Sequence, residues 1–86
     1  MYFYSPFPNP TSGDVSLNYY LDNKQNISIE LFDIKGTLVN TVLSQAVHQP
    51  GNHKLEFNVG HLPDGNYTIR LSWEEGILTK PLIMSK

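Results

Sequence analysis

Three histidines have the widest chemical repertoire in this chain, and two of them, His48 and His53, flank the turn Gln49-Pro50-Gly51-Asn52. Across a hairpin, two imidazoles could begin a metal site. Zinc needs at least a third protein ligand, and no carboxylate has the spacing to supply one. The chain has no cysteine, which removes disulfides, thiolate ligands and a sulfur nucleophile. His48 and His53 therefore read as turn-flanking surface groups, and His61 precedes a loop without a partner in sequence. Asp14, Asp22, Asp33 and Asp64 all fall at turns, where a short carboxylate accepts a hydrogen bond from the backbone two residues on. Glu74 and Glu75 are adjacent and on a strand would face opposite ways, which is poor geometry for an acid–base pair. No Gly-x-Ser-x-Gly elbow, phosphate-cradling loop or His-Glu-x-x-His helix is present. The expectation is a non-enzyme with no cofactor and no metal.

Two aromatic residues offer a different chemistry. Tyr20 should point away from the core opposite Tyr19, and Phe32 opposite Leu31 and Asp33. Aromatic faces exposed on a sheet can stack on sugars, whereas isolated outward aromatics more often cover an edge or pack under a loop. The triplets Asn26-Ile27-Ser28 and Asn66-Tyr67-Thr68 match the glycosylation pattern, a signal with meaning only in a glycosylating secretory route.

The elements that would position these groups are strands. Val15, Leu17, Tyr19 and Leu21 alternate with polar or outward residues, as do Ile27, Ile29 and Leu31. The same period of two recurs in Leu55, Phe57 and Val59, and again in Tyr67, Ile69, Leu71 and Trp73. No window carries a helical stripe, and Ala46 is the only alanine. Polar or glycine-bearing turns fall at 22–26, 33–36, 49–52, 62–65 and 74–76. With Tyr2 to Ser5 as a short first strand, the pattern predicts an all-β, Ig-like sandwich of about seven mostly antiparallel strands. Two segments resist it. In 37–47 either Leu38 with Val42, or Val39 with Leu43, could face inward. In 77–86 Pro81 cannot donate to a ladder and implies an edge position or a strand start.

Eighty-six residues make a single domain, 1–86, with a thin core. The net charge of −2 leaves no basic field, so a nucleic-acid partner is not expected. Apolar runs of only a few residues argue against direct membrane insertion. The opening "MYFYSPFP" lacks both the basic leader and the apolar core of a secretory signal.

Taken in order, "PNPTSG", a strand, "ELFDIKG", a hairpin region, "LPDGNYTIRL" and the closing "LTKPLIMSK" resemble the type A C-terminal sorting domain of the type IX secretion system of Bacteroidota. The resemblance runs from about Tyr4 to Lys86. By position, the family's proline-asparagine-proline and following glycine fall on Pro8, Asn9, Pro10 and Gly13, and its aspartate-glycine turn on Asp33 and Gly36. Its leucine-glycine-tyrosine signature falls on Leu62, Gly65 and Tyr67, and its lysine-led closing strand on Lys80 through Lys86. Pro81, directly after Lys80, departs from the family pattern and makes an irregular last strand an expectation.

Each motif also has a physical reading. The prolines fix φ and hold the chain extended, and Gly13 lets the backbone turn into the Val15 strand. Asp64-Gly65 supplies a turn, after which Tyr67 can drop into the core with its hydroxyl near a backbone partner. The resemblance implies a secretion tag at the tail of a larger protein, whose N-terminal signal lies outside this piece. It implies transit through the periplasm, engagement of the outer-membrane translocon and its shuttle protein, and delivery to the cell surface or beyond. There a sortase-like peptidase would remove the tag, near or before Met1 to Ser5, and join the cargo to lipopolysaccharide. The segment expected to be read is 77–86, with Lys80, Leu82, Ile83, Met84 and Lys86 as the recognition residues. Exposed sheet edges could also pair two copies of the isolated domain. Two rivals share parts of the pattern: an Ig-like spacer of the kind found in hook-capping proteins, and a carbohydrate-binding module using Tyr20 and Phe32.

Overall fold

A computed structural model describes all residues, 1–86. Seven strands form two antiparallel sheets: β1 (Tyr2–Phe3), β2 (Asp14–Leu21), β3 (Gln25–Asp33), β4 (Leu38–His48), β5 (Gly51–Asn58), β6 (Gly65–Trp73) and β7 (Gly76–Met84). One sheet has the order β1-β2-β5, the other β4-β3-β6-β7. The arrangement is the Ig-like sandwich that the alternating pattern predicts. The expected first strand is shorter as a regular element, ending at Phe3, although Tyr4 and Phe7 still pair with β2 through Asn18 and Ser16.

The inward members of each alternation make the core: Val15, Leu17, Tyr19 and Leu21 from β2, Ile27, Ile29 and Leu31 from β3, Tyr67, Ile69 and Leu71 from β6. Leu82 and Met84 of β7 join them. Each such side chain contributes about 1.5–3 kcal/mol on leaving water. Leu55 and Phe57 pack against this core but stay half-buried, because β5 is the outer strand of the smaller sheet.

Three features differ from the sequence reading. The β4–β5 connection is no hairpin: β4 pairs with β3 and β5 with β2, so the turn at 49–50 carries the chain from one sheet to the other. Of the two inward pairings foreseen for 37–47, Val39 with Leu43 holds, and Val42 joins it from the other. Val39, Val42 and Leu43 all pack on the core while Leu38 is exposed. The cause is three register shifts between β3 and β4, together with Gln45 at φ 48°, which break a strict period of two. The last strand, by contrast, is regular. β6 and β7 keep one register from Trp73↔Gly76 to Gly65↔Met84, passing through Thr68↔Pro81 without a shift. Glu74 and Glu75 form the turn of that hairpin rather than lying on a strand.

Candidate functional site

The four sequence motifs gather at one end of the sandwich, where two of them meet the last half of β7 directly. Asp33 lies opposite Tyr67 in the β3–β6 ladder, and Tyr67 lies opposite Leu82 in the β6–β7 ladder. Gly65 lies opposite Met84. On the far side of β7, where no further strand exists, the segment Pro8–Thr11 runs alongside.

Asn9 supplies the first contacts of that segment. Its Nδ2 donates to the carbonyl of Pro81 at 3.0 Å, and its Oδ1 accepts from the amide of Ile83 at 2.8 Å. A carboxamide has one donor end and one acceptor end, so it can replace the peptide group of a neighbouring strand. Two residues on, the backbone itself takes over. The Thr11 amide donates to the Ile83 carbonyl at 2.9 Å, and the Ser85 amide donates to the Thr11 carbonyl at 2.8 Å, forming a parallel bridge between Thr11 and Met84. The Phe7–Pro8 and Asn9–Pro10 peptide bonds on either side of Asn9 are cis. Thr11 is 2% exposed, and its hydroxyl accepts from the Gly13 amide while donating to the Asp14 carbonyl. Gly13 then turns the chain into β2 at φ +154°, with the Gly60 backbone so near that a Cβ would lie 3.1 Å from its Cα. The PNP segment is thus a strap from the first sheet to the edge of the second.

This geometry explains Pro81. Ile83 directs its amide and carbonyl away from β6, toward Asn9 and Thr11, so residues 81, 79 and 77 of the unshifted strand do the same. A proline at 81 therefore removes no ladder bond, and the departure from the family pattern leaves pairing intact.

Tyr67 and Leu62 close the adjacent corner. Leu62 is buried, and the Tyr67 hydroxyl donates to the Pro63 carbonyl at 2.5 Å, four residues back, in the manner of a tyrosine corner at the start of an Ig strand. Asp33 makes the turn foreseen for it: its Oδ1 accepts from the amides of Lys35 and Thr37, each at 2.9 Å, and Gly36 completes the turn at φ +85°. The other three aspartates do something else. Asp14 accepts from Asn58 Nδ2 across the sheet, Asp22 pairs with the Met1 amino group, and Asp64 accepts from the Lys86 amide. Remote partners of that kind leave no local sequence signal.

Of the residues expected to be read, Leu82 and Met84 are core, and Lys80 is half-buried on the same inward side as Leu82. Ile83 and Lys86 are exposed. The sequence reading missed Asn9 as a bonding partner of β7, and it missed Thr11 altogether. The Thr-x-Gly spacing of a side-chain-to-backbone turn is the one signal that could have found Thr11.

The histidines do meet, between the sheets rather than across a hairpin. His48 and His53 stack with ring centroids 4.7 Å apart, and both stack on Tyr19. The Tyr19 hydroxyl lies 2.9 Å from His48 Nδ1, and His53 Nε2 lies 2.7 Å from the Gln49 carbonyl. Burial pushes the Tyr19 phenol up to about 12. Burial, with His53 adding, holds the His48 imidazole below its usual range. These rings brace the β4–β5 crossing. Tyr20 and Phe32, the pair considered for sugar binding, lie on different sheets. Phe32 has the Arg70 guanidinium 4.4 Å from its ring centre, and Arg70 in turn pairs with Glu30 at 2.8 Å.

Comparison with curated proteins gives no match. The family model of the secretion system C-terminal sorting domain matches residues 5–85. That span includes the strap, the Asp33 turn, the Tyr67 corner and all of β7, and the family is one of sorting signals rather than enzymes. The chain belongs to the C-terminal sorting domains of the type IX secretion system.

Proposed function

We propose that residues 1–86 act as one folded export tag, read by the type IX machinery at β7 and at the strap that clasps it. Family membership carries this reading, and it implies export to the cell surface or the extracellular space. The convergence of Pro8–Gly13, Asp33–Gly36, Leu62–Tyr67 and Lys80–Lys86 on one end of the sandwich supports placing the recognition surface there. Leu82 and Met84 hold the strand in the core, while Ile83, Lys86 and the outward backbone groups of Ile77 and Thr79 face a partner. Exposed Ile77, Ile83, Leu38 and Ile34 all lie on the four-stranded sheet or its turns, which gives that side an aliphatic docking character.

In the sequence of events, an N-terminal signal outside this piece takes the precursor to the periplasm. The translocon and its shuttle protein then bind the folded tag. A surface sortase-like peptidase hydrolyses or transfers the peptide bond near or before Met1–Ser5, and the cargo is joined to lipopolysaccharide. The tag contributes no catalytic group to that step.

The test fuses a signal peptide and a reporter ahead of residues 1–86 in a host with the system. Export of the reporter is expected, and so is its retention in the periplasm once Thr79–Lys86 is deleted. Periplasmic retention with the complete tag, or export that survives the deletion, overturns the reading.

A further inference from the structure

The exposed large apolar side chains are divided by chemistry between the two faces. The aliphatic ones, Ile34, Leu38, Val47, Ile77 and Ile83, belong to the four-stranded sheet and its turns. The aromatic ones, Tyr2, Tyr4, Phe7 and Tyr20, belong to β1, β2 and the segment that follows β1. They are 60%, 46%, 48% and 39% exposed. Tyr2 lies opposite Tyr20, which lies opposite Asn52; the Tyr4 amide bonds to Asn18, which lies opposite Lys54. At the β1 end of the three-stranded sheet the outward positions thus set the aromatic rings of Tyr2, Tyr4 and Tyr20 beside the carboxamides of Asn18 and Asn52.

An open groove of about 470 Å³ runs over this face, lined by Tyr4, Phe7, Asn18, Asn52 and Lys54 among others. The Tyr2 and Tyr4 rings are 4.7 Å apart at 38° and form one end of the platform. The carboxamides of Asn18 and Asn52 make no hydrogen bond with the protein, in contrast to those of Asn9 and Asn58. Lys54 pairs with Glu56 at 3.1 Å, so its charge is locally balanced.

The geometry points to a saccharide site on this face, for a neutral pyranose glycan. The hydrogens on a pyranose ring face stack on an aromatic surface, and its hydroxyls need partners that both donate and accept, as a carboxamide does. The balanced Lys54–Glu56 pair gives no field to select an anionic sugar. The site uses Tyr20, as the sequence suggested, but with Tyr2 and Tyr4 in place of Phe32. It lies on the sheet that does not contain β7 and so stands apart from the recognition surface proposed there, although Tyr2 and Tyr4 fall within the span proposed for cleavage.

The test titrates isotopically labelled chain with neutral hexasaccharides of β-1,4-glucose, β-1,3-glucose and β-1,4-N-acetylglucosamine, followed by NMR. At least one is expected to shift the side-chain amides of Asn18 and Asn52 and the backbone of 2–4. Tyr4→Ala and Tyr2→Ala should each weaken that binding about tenfold while Phe32→Ala leaves it unchanged. These three side chains are exposed or half-exposed, and an unchanged backbone spectrum confirms that each variant folds. No shift with any of the three glycans, or shifts centred on Phe32, overturns the assignment.

Discussion

The Asn9 carboxamide and the Tyr67 hydroxyl each tie a loop to backbone that a strand ladder leaves unpaired. Asn9→Ala removes two hydrogen bonds at an exposed edge and should cost about 1–2 kcal/mol, read as a melting temperature lower by about 4–8 °C per kcal/mol for a domain of this size. Asn9→Asp should be no better, since its carboxylate can still accept from Ile83 but meets the Pro81 carbonyl with a second acceptor. A melting temperature equal to wild type in either variant would show that the strap is held by Thr11 alone. Tyr67→Phe keeps the buried ring and loses only the bond to Pro63, so about 1 kcal/mol of destabilisation is expected in denaturant titration. The sequence showed these residues as motif positions and as turn chemistry. It could not show that Asn9 bonds to residues more than seventy positions away, because nothing local encodes which edge a loop will meet.

Among the elements, strands with one wet face were readable from alternation alone, and β2, β3 and β6 lie where their apolar residues predict. β4 was not readable, since a bulge shifts the inward set by one residue and erases the period that would reveal it. The β4–β5 crossing was misread as a hairpin because Pro-Gly marks a turn without saying whether the next strand stays in the sheet. That crossing carries a pH dependence. Folding favours neutral His48, so the stability it contributes is complete above the unfolded value of about 6.5 and is lost as pH falls through the lower folded value. The melting temperature of the wild type should therefore drop between pH 7 and pH 5 by more than that of His48→Gln, which keeps an acceptor for Tyr19 but does not titrate. Parallel curves would assign the acid sensitivity to other groups. In β7, Pro81→Thr should change stability by no more than about 0.5 kcal/mol, because the restored amide points outward. It should instead increase self-association, visible in sedimentation, by removing a block on the free edge.

For the whole molecule, composition and period were enough for an Ig-like sandwich, and motif order was enough for the sorting-domain resemblance that the family match bears out. The structure adds what joins those motifs: Asn9 and Thr11 clasp β7, so the surface proposed for recognition is built from both the strap and the last strand. The central claim is that this assembled end of the sandwich, and not a linear C-terminal peptide, directs export. The most direct measurement compares reporter export by the complete tag with export by Asn9→Ala combined with Thr11→Pro, which removes both clasping amides while leaving residues 79–86 unaltered. The account predicts that the reporter stays in the periplasm even though the closing sequence is intact. Export at the wild-type level from a variant shown by NMR to have released β7 from the strap would contradict it.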